Sequence, residues 1–221
     1  MNNLIWLSEN DPPDSFPSVD QALIDPPGLL AAGGDLSSAR LLAAYRRGIF
    51  PWYSPGQPIL WWSPDPRTVL FPQEFKASRS LSKTARQRSF SIRVNCAFAA
   101  VLAGCADPQL RPDGTWITPA MQGAYLQLHQ QGHAHSVETW CDDQLVGGLY
   151  GVKLGTMFFG ESMFSRISDA SKFALKSLCE PLAELPVALI DCQMATPHLS
   201  SLGARSLSRQ RFLDLLYQYA A

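Results

Sequence analysis

Apolar positions recur at helical spacing in three segments of the chain. In "GGDLSSARLLAAYRRGIFPW" the stripe is Leu41, Leu42 and Tyr45, with Asp35 or Ser37 placed to cap the start and Gly48 to end the helix before Pro51. In "TPAMQGAYLQLHQQGH" the residues Met121, Ala124, Tyr125 and Leu128 stand at i, i+3, i+4 and i+7, and Gly132 closes the helix. A terminal helix, "SRQRFLDLLYQYAA", carries Phe212, Leu215, Leu216 and Tyr219 on one face. "SDASKFALKSLCE" adds a fourth helix, with Ser168 or Asp169 as its cap. Between the second and fourth lies "AHSVETWCDDQLVGGLYGVKLGTMFFGESMF", which reads as three strands joined by turns at 142–144 and 153–155, an antiparallel meander. "RTVLF" and "VALIDCQM" read as further strands. The first 66 residues differ: they are rich in proline and tryptophan and poor in strand patterns. Together these predict an α+β fold, with a small N-terminal domain over 1–66 and a sheet-and-helix domain over 67–221.

Composition narrows the function classes. With 221 residues and 46% hydrophobic content the chain can bury a substantial core. Eighteen basic residues against nineteen acidic ones exclude a generic polyanion binder, so any nucleic-acid contact needs a local patch. One exists. The stretch 75–106 holds Lys76, Arg79, Lys83, Arg86, Arg88 and Arg93 and no Asp or Glu, a segregation that suits phosphate contact. Five cysteines without a C-x-x-C pair argue against a disulfide framework and a zinc site. No segment approaches the roughly 20 apolar residues that span a bilayer, and a cytoplasmic protein without membrane contact is expected.

Several residues are chemically out of place. Alternation along "LIDCQM" sends Asp191 and Gln193 to one face and Ile190, Cys192 and Met194 to the other. An acid beside an amide at the end of an apolar strand can hold an amine, or can be a buried Asp bonded to backbone. Cys192 has no obvious basic partner and reads as packing. His133 and His135 form an H-x-H on one strand face, a weak metal signal; His198 could join a pocket near Asp191. Trp52, Trp61, Trp62 and Trp116 are core residues or stacking platforms. Glu161 is the one carboxylate in the apolar "GTMFFGESMFSR", a misfit for packing unless it is tied into backbone or Arg166 at the strand end.

The blocks "GDLSSARLLAAYRRGIFPWYSPGQPILWWSPDPR", "GTWIT", "GHAHSVETW", "LVGGLYGV", "GESMFSR", "DASKFAL", "LIDCQM" and "SLGA" together resemble the leucyl/phenylalanyl-tRNA–protein transferases, from about residue 22 to 216. The resemblance implies a second domain related to the GCN5-type N-acetyltransferase (GNAT) fold, with a mainly antiparallel sheet flanked by helices. It implies transfer of Leu or Phe, and less well Met, from aminoacyl-tRNA to proteins that begin with Arg or Lys, creating a bacterial N-degron. Trp52 and Trp116 match residues that hold the 3′-terminal adenosine, and Tyr125, Leu149, Phe158, Leu175, Leu178 and Ile190 match the aminoacyl side-chain pocket. Asp191 and Gln193 match the reacting centre, and Glu161 an acid of the acceptor site. Arg79, Lys83, Arg86 and Arg88 match the acceptor-stem contact. Leu149 and Leu178 stand where the family pattern has Met and Phe.

The ester donor is already activated, so the resemblance implies no cofactor, metal or covalent intermediate, and a monomer suffices. The amine has a pKa of about 7.7–8, and bringing amine and ester together is worth ~7–11 kcal/mol; Gln193 would orient the amine and Asp191 attract its proton. Phe158 and Glu161 face opposite ways on a regular strand, so a shared pocket requires a bulge near Gly160. Two rival readings stand beside it. An acyl-CoA-dependent N-acetyltransferase lacks its Q/R-x-x-G-x-G/A turn here, and a non-catalytic tRNA- or peptide-binding module leaves the acids unexplained.

Overall fold

Two sheets contribute to the larger of two hydrophobic cores. The computed structural model describes residues 4–112 and 114–221; the side chains of Arg79, Ser80 and Ala85 lie outside the described residues. The first sheet contains β1 (Ile5–Leu7), β2 (Leu29–Gly33), β3 (Phe50–Pro51) and β4 (Leu60–Trp62) in the order β1-β2-β4-β3. The expectation of few strands before residue 67 is therefore corrected. These strands are two to five residues long, and β2, "LLAAG", is buried along almost its whole length, so no alternation survives for a sequence reading to find. The helix α1 (Ser38–Tyr45) lies beside this sheet. Ser37 caps it by accepting from the Arg40 amide at 3.3 Å, while Asp35 accepts from the Ser37 amide at 2.7 Å. Gly48, at φ +71°, ends the turn that follows, a conformation that costs glycine nothing.

The second sheet has seven strands: β5 (Arg67–Leu70), β6 (Ser91–Val94), β7 (Ala134–Cys141), β8 (Gln144–Leu154), β9 (Met157–Ser165), β10 (Leu189–Gln193) and β11 (Arg205–Leu207). Their order is β11-β5-β10-β9-β8-β7-β6, and every pairing but β9 with β10 is antiparallel. The expected meander is β7-β8-β9. Its first turn is Asp142–Asp143, both at positive φ, which matches the twist of a two-residue hairpin.

Helices α2 (Arg79–Gln87), α3 (Phe98–Ala106), α4 (Pro119–Gln130), α5 (Ala170–Leu178), α6 (Pro197–Ser201) and α7 (Arg209–Tyr219) complete the fold. Alternation along the meander divides the core in two. Tyr150, Val152 and Phe159 join the residues of α1, α3, α4 and α7, whereas Val137, Leu149, Phe158 and Ile190 pack with Leu175 and Leu178 of α5. Asp169 precedes α5 as expected, but at φ +67° its carboxylate pairs with Lys172 at 2.8 Å and caps no backbone amide. Among the described residues no helix is long and apolar enough to cross a membrane.

Candidate active site

Strand β9 carries a bulge. Opposite it, Tyr150 pairs with Ser162 and Gly151 pairs with Gly160, so Glu161 is the extra residue. The partner strand makes room: a Cβ on Gly151 would lie 2.1 Å from the Phe159 carbonyl oxygen, a distance no side chain tolerates. The bulge resets the alternation, and Phe158 and Glu161 both line a cavity of about 340 Å³. The geometry required of Gly160 at the sequence level is present.

Leu149, Phe158, Leu175, Leu178 and Ile190 form the apolar wall of this cavity, as expected, and His198 also lines it. Tyr125 does not. It is buried behind the wall, and its hydroxyl is hydrogen-bonded to Glu161 Oε2 at 2.8 Å. The apolar stripe of α4 turns Tyr125 inward, but the sequence did not indicate that the ring would stop short of the cavity. Trp116, Arg111 and Tyr150 also line it. Arg111 donates to the Met163 carbonyl oxygen at 2.8 Å and to Ser162 Oγ at 3.3 Å, and nothing in its local sequence signals that position.

A second, smaller cavity of about 160 Å³ adjoins the first, bounded by Phe50, Pro51, Trp52, Trp116 and Met194. Trp52 is 38% exposed and meets Trp62 edge-on at 5.6 Å. Trp61, by contrast, is fully buried and donates to the Gly33 carbonyl oxygen at 2.9 Å, a core residue. Glu161, Cys192, Gln193 and Trp116 line both cavities.

Asp191 and Gln193 do not follow strict alternation. The ladder slips between them, and Gln193 sits at φ +56°. Asp191 is fully buried; Arg67 donates to its two oxygens at 2.9 and 2.7 Å, and the Gln193 amide donates to Oδ1 at 3.0 Å. Arg67 in turn lies over the rings of Phe50 and Phe212 at 4.7 and 4.5 Å and donates to the Gly48 carbonyl oxygen at 3.0 Å. The acid thus sits beneath the cavity floor and holds the bend that lifts Gln193 into both cavities. The side-chain nitrogen of Gln193 and the hydroxyl of Tyr150 are buried without a hydrogen-bond partner, a state that costs about 1–3 kcal/mol each unless a ligand relieves it.

Glu161 Oε1 lies 2.7 Å from the Tyr45 hydroxyl oxygen and Oε2 lies 2.8 Å from that of Tyr125, both at hydrogen-bond distance. Tyr45 belongs to the apolar stripe of α1, for which the periodicity predicts packing alone. Burial among these rings pushes the Glu161 carboxyl up to about 7, against the two hydroxyl bonds. Burial and the nearby carboxylate raise both tyrosines well above the usual phenol range. Arg166, the alternative partner of Glu161, pairs instead with Asp107 at 3.5 Å. Burial raises the Cys192 thiol strongly, which suits packing and not nucleophilic attack.

The basic segment forms α2, with Ser78 accepting from the Leu81 amide at 3.1 Å as its cap. Lys83, Arg86 and Arg88 are exposed; the side chain of Arg79 lies outside the described residues. A groove beside the helix is lined by Arg86 and, from α5, Lys176. Arg93 is committed elsewhere, paired with Asp143 at 2.6 Å and stacked on Trp140. His135 contacts the side-chain amide of Asn95 at 3.0 Å, and among the described residues no group of three His, Cys, Asp or Glu side chains could hold a metal ion.

A profile described as leucyl/phenylalanyl-tRNA protein transferase matches residues 69–217, and that of the corresponding N-terminal domain matches residues 34–65. The chain belongs to the leucyl/phenylalanyl-tRNA–protein transferase family. It is an aminoacyltransferase. A family member from Aromatoleum aromaticum is 62% identical over 207 residues, 94% of this chain and 86% of that one. Members from Pseudomonas fluorescens Pf0-1 and Pseudomonas aeruginosa PAO1 are 56% and 58% identical, each over 98% of this chain and 95% of its relative.

Proposed function

We propose that this transferase moves Leu or Phe, and Met less well, from aminoacyl-tRNA to the α-amino group of proteins that begin with Arg or Lys, making them substrates for bacterial N-degron proteolysis. The observation that carries the reading is the pair of adjoining cavities, one walled by aliphatic and aromatic side chains and one by Trp52 and Trp116, with Glu161 and Gln193 at their junction. An aminoacyl-adenosine has the same two halves. The Leu or Phe side chain occupies the first cavity and the terminal adenine the second, stacked on tryptophan. The ester between them then lies at Gln193.

Selection by an apolar cavity discriminates by only ~1–3 kcal/mol per methylene, which accounts for some Met transfer. Lys83, Arg86 and Arg88, with Arg79, hold acceptor-stem phosphates, which position the substrate without reading its sequence. The unpartnered Gln193 amide orients amine and ester, and Asp191 acts as a positioning residue through its bond to the Gln193 backbone. With an acceptor amine pKa of about 7.7–8, part of it is already neutral at pH 7. Orientation then carries most of the rate. We read the chain as a cytoplasmic monomer with units at 1–66 and 67–221, the second akin to the GNAT fold.

The test is direct. The protein is incubated with tRNA carrying labelled Leu or Phe and a peptide beginning with Arg. Transfer of label to the peptide is the expected result. Binding of tRNA without transfer would favour a non-catalytic module, and acetylation from acetyl-CoA alone would favour an N-acetyltransferase.

A further inference from the structure

Three oxygen–oxygen contacts close a ring around Glu161. Tyr45 Oη lies 2.7 Å from Glu161 Oε1, Tyr125 Oη lies 2.8 Å from Glu161 Oε2, and the two phenol oxygens lie 2.6 Å apart. All three fall in the range of O–H···O hydrogen bonds, and each such bond needs one hydrogen. The two phenols supply two. If both donate to an ionised Glu161, the shortest contact, phenol to phenol, has no hydrogen and sets lone pair against lone pair. A proton on Glu161 supplies the third. The ring then runs head to tail, from carboxyl to one phenol, phenol to phenol, and back to the other carboxyl oxygen.

The position of the ring gives that proton a use. Glu161 lines both cavities, so in the reading above, on which this inference rests, its carboxyl faces the ester linkage between amino acid and ribose. Cys192 and His198 are the other titratable groups on the first cavity's inner wall besides Tyr150 and Arg111. Only Cys192 shares the junction, and burial holds its thiol protonated. Asp191 is committed to Arg67.

We propose that Glu161 rests as the neutral acid of this ring and is the proton carrier of transfer, with Tyr45 and Tyr125 as the positioning residues that hold it. The amine nitrogen bonds to the carbonyl carbon. The carbon–oxygen ester bond breaks with its electron pair left on the ribose oxygen, and that oxygen takes the Glu161 proton. The resulting carboxylate takes the proton shed by the new amide nitrogen, so the ring is restored at each turnover. Tyr45 comes from α1, so the N-terminal segment completes the reacting centre. The groups facing Glu161 are Tyr45 on α1, Tyr125 on α4, Tyr150 on β8, Arg67 on β5 and Asp191 on β10. Burial dominates over all of them and favours the neutral form.

Two measurements test this on the intact protein. Infrared difference spectra between wild type and Glu161→Gln should show a protonated-carboxyl carbonyl stretch at pH 6 that fades as pH rises through about 7. In Tyr45→Phe, which loses a donor to the carboxylate, the band should persist to higher pH. Absence of the band at pH 6, or an unmoved midpoint in Tyr45→Phe, overturns the ring. The second measurement is kinetic. Glu161→Gln should lower kcat by ~100-fold or more on the natural ester, the range of general acid–base catalysis. Most of that loss should be recovered with a 2′-fluoro aminoacyl-adenosine donor, whose leaving oxygen is more acidic. An equal loss on both donors would overturn the proton-carrying role and leave Glu161 as a structural group. Failure of the wild-type protein to transfer at all would instead sink the reading of the preceding subsection, while the infrared titration would still judge the ring.

Discussion

Arg67 grips both carboxylate oxygens of Asp191, at 2.9 and 2.7 Å, and neither residue has more than 1% of its side chain exposed. Arg67 also reaches the Gly48 carbonyl oxygen and lies between Phe50 and Phe212. One guanidinium therefore ties the turn after α1, β10 and α7 together and fixes the bend that carries Gln193. Replacing Arg67 with Met strands a buried carboxylate and should destabilise the fold by ~3–5 kcal/mol. Urea unfolding of Arg67→Met and of the paired Arg67→Met/Asp191→Leu protein checks it: the double variant should recover much of the loss, since no charge is left unpaired.

A positioning role for Asp191 predicts a particular pH behaviour. Asp191→Asn keeps the shape but weakens the hold of Arg67 on the bend, so the transfer rate should fall. The midpoints of the pH–rate profile should stay where they are, because Asp191 is not the group that exchanges the proton. Loss of a limb from the profile would make Asp191 the base.

Glu161 should also leave a mark on stability. Its folded-state carboxyl titrates at about 7, above the 4.5 of an unperturbed glutamate. Below pH 4.5 both states are protonated and no charge is buried. Between 4.5 and 7 the unfolded chain loses the proton and the folded one keeps it, so stability falls as pH rises and levels off above 7. The fall is on the order of 3 kcal/mol. Urea midpoints of wild type and Glu161→Gln at pH 5 and pH 8 test this: the difference between the two proteins should shift in favour of the variant at pH 8.

The proposed aminoacyl cavity predicts a specificity change. Leu178→Phe puts a ring into a space of about 340 Å³, leaving room for an aliphatic side chain more readily than for an aromatic one. The ratio of Phe to Leu transfer should drop by roughly tenfold, within the range a hydrophobic cavity can supply. Competition between Leu-tRNA and Phe-tRNA for one acceptor peptide measures it.

Exposed cations on α2 should act through salt-sensitive binding. Lys83→Ala and Arg86→Ala should each weaken tRNA binding uniformly across isoacceptors and reduce the slope of log affinity against log salt by ~1. Transfer from a short aminoacyl-adenosine donor, which lacks the acceptor stem, should be unaffected.

What the sequence by itself determined was local. Helices α1, α4, α5 and α7 and the β7-β8-β9 meander rest on side-chain period, caps and turn residues that lie within a few positions of one another: Ser37 on Arg40, Thr118 on Met121, the Asp142–Asp143 turn. The apolar wall of the first cavity, Leu149, Phe158, Leu175, Leu178 and Ile190, came from the family resemblance and not from side-chain period. The bulge at Glu161 could be posed as a condition on Gly160 but not settled, since it depends on the missing Cβ of Gly151 across the ladder. Only the tertiary structure decided the rest. Tyr45 meets Glu161 across 116 positions and Arg67 meets Asp191 across 124. Those polar contacts form where already folded elements are pressed together, and no pattern along the chain encodes them. In one dimension Tyr45 is part of an apolar stripe and Asp191 is an acid free to work. Burial turns the first into a partner of the Glu161 carboxyl and the second into a support for the bend at Gln193.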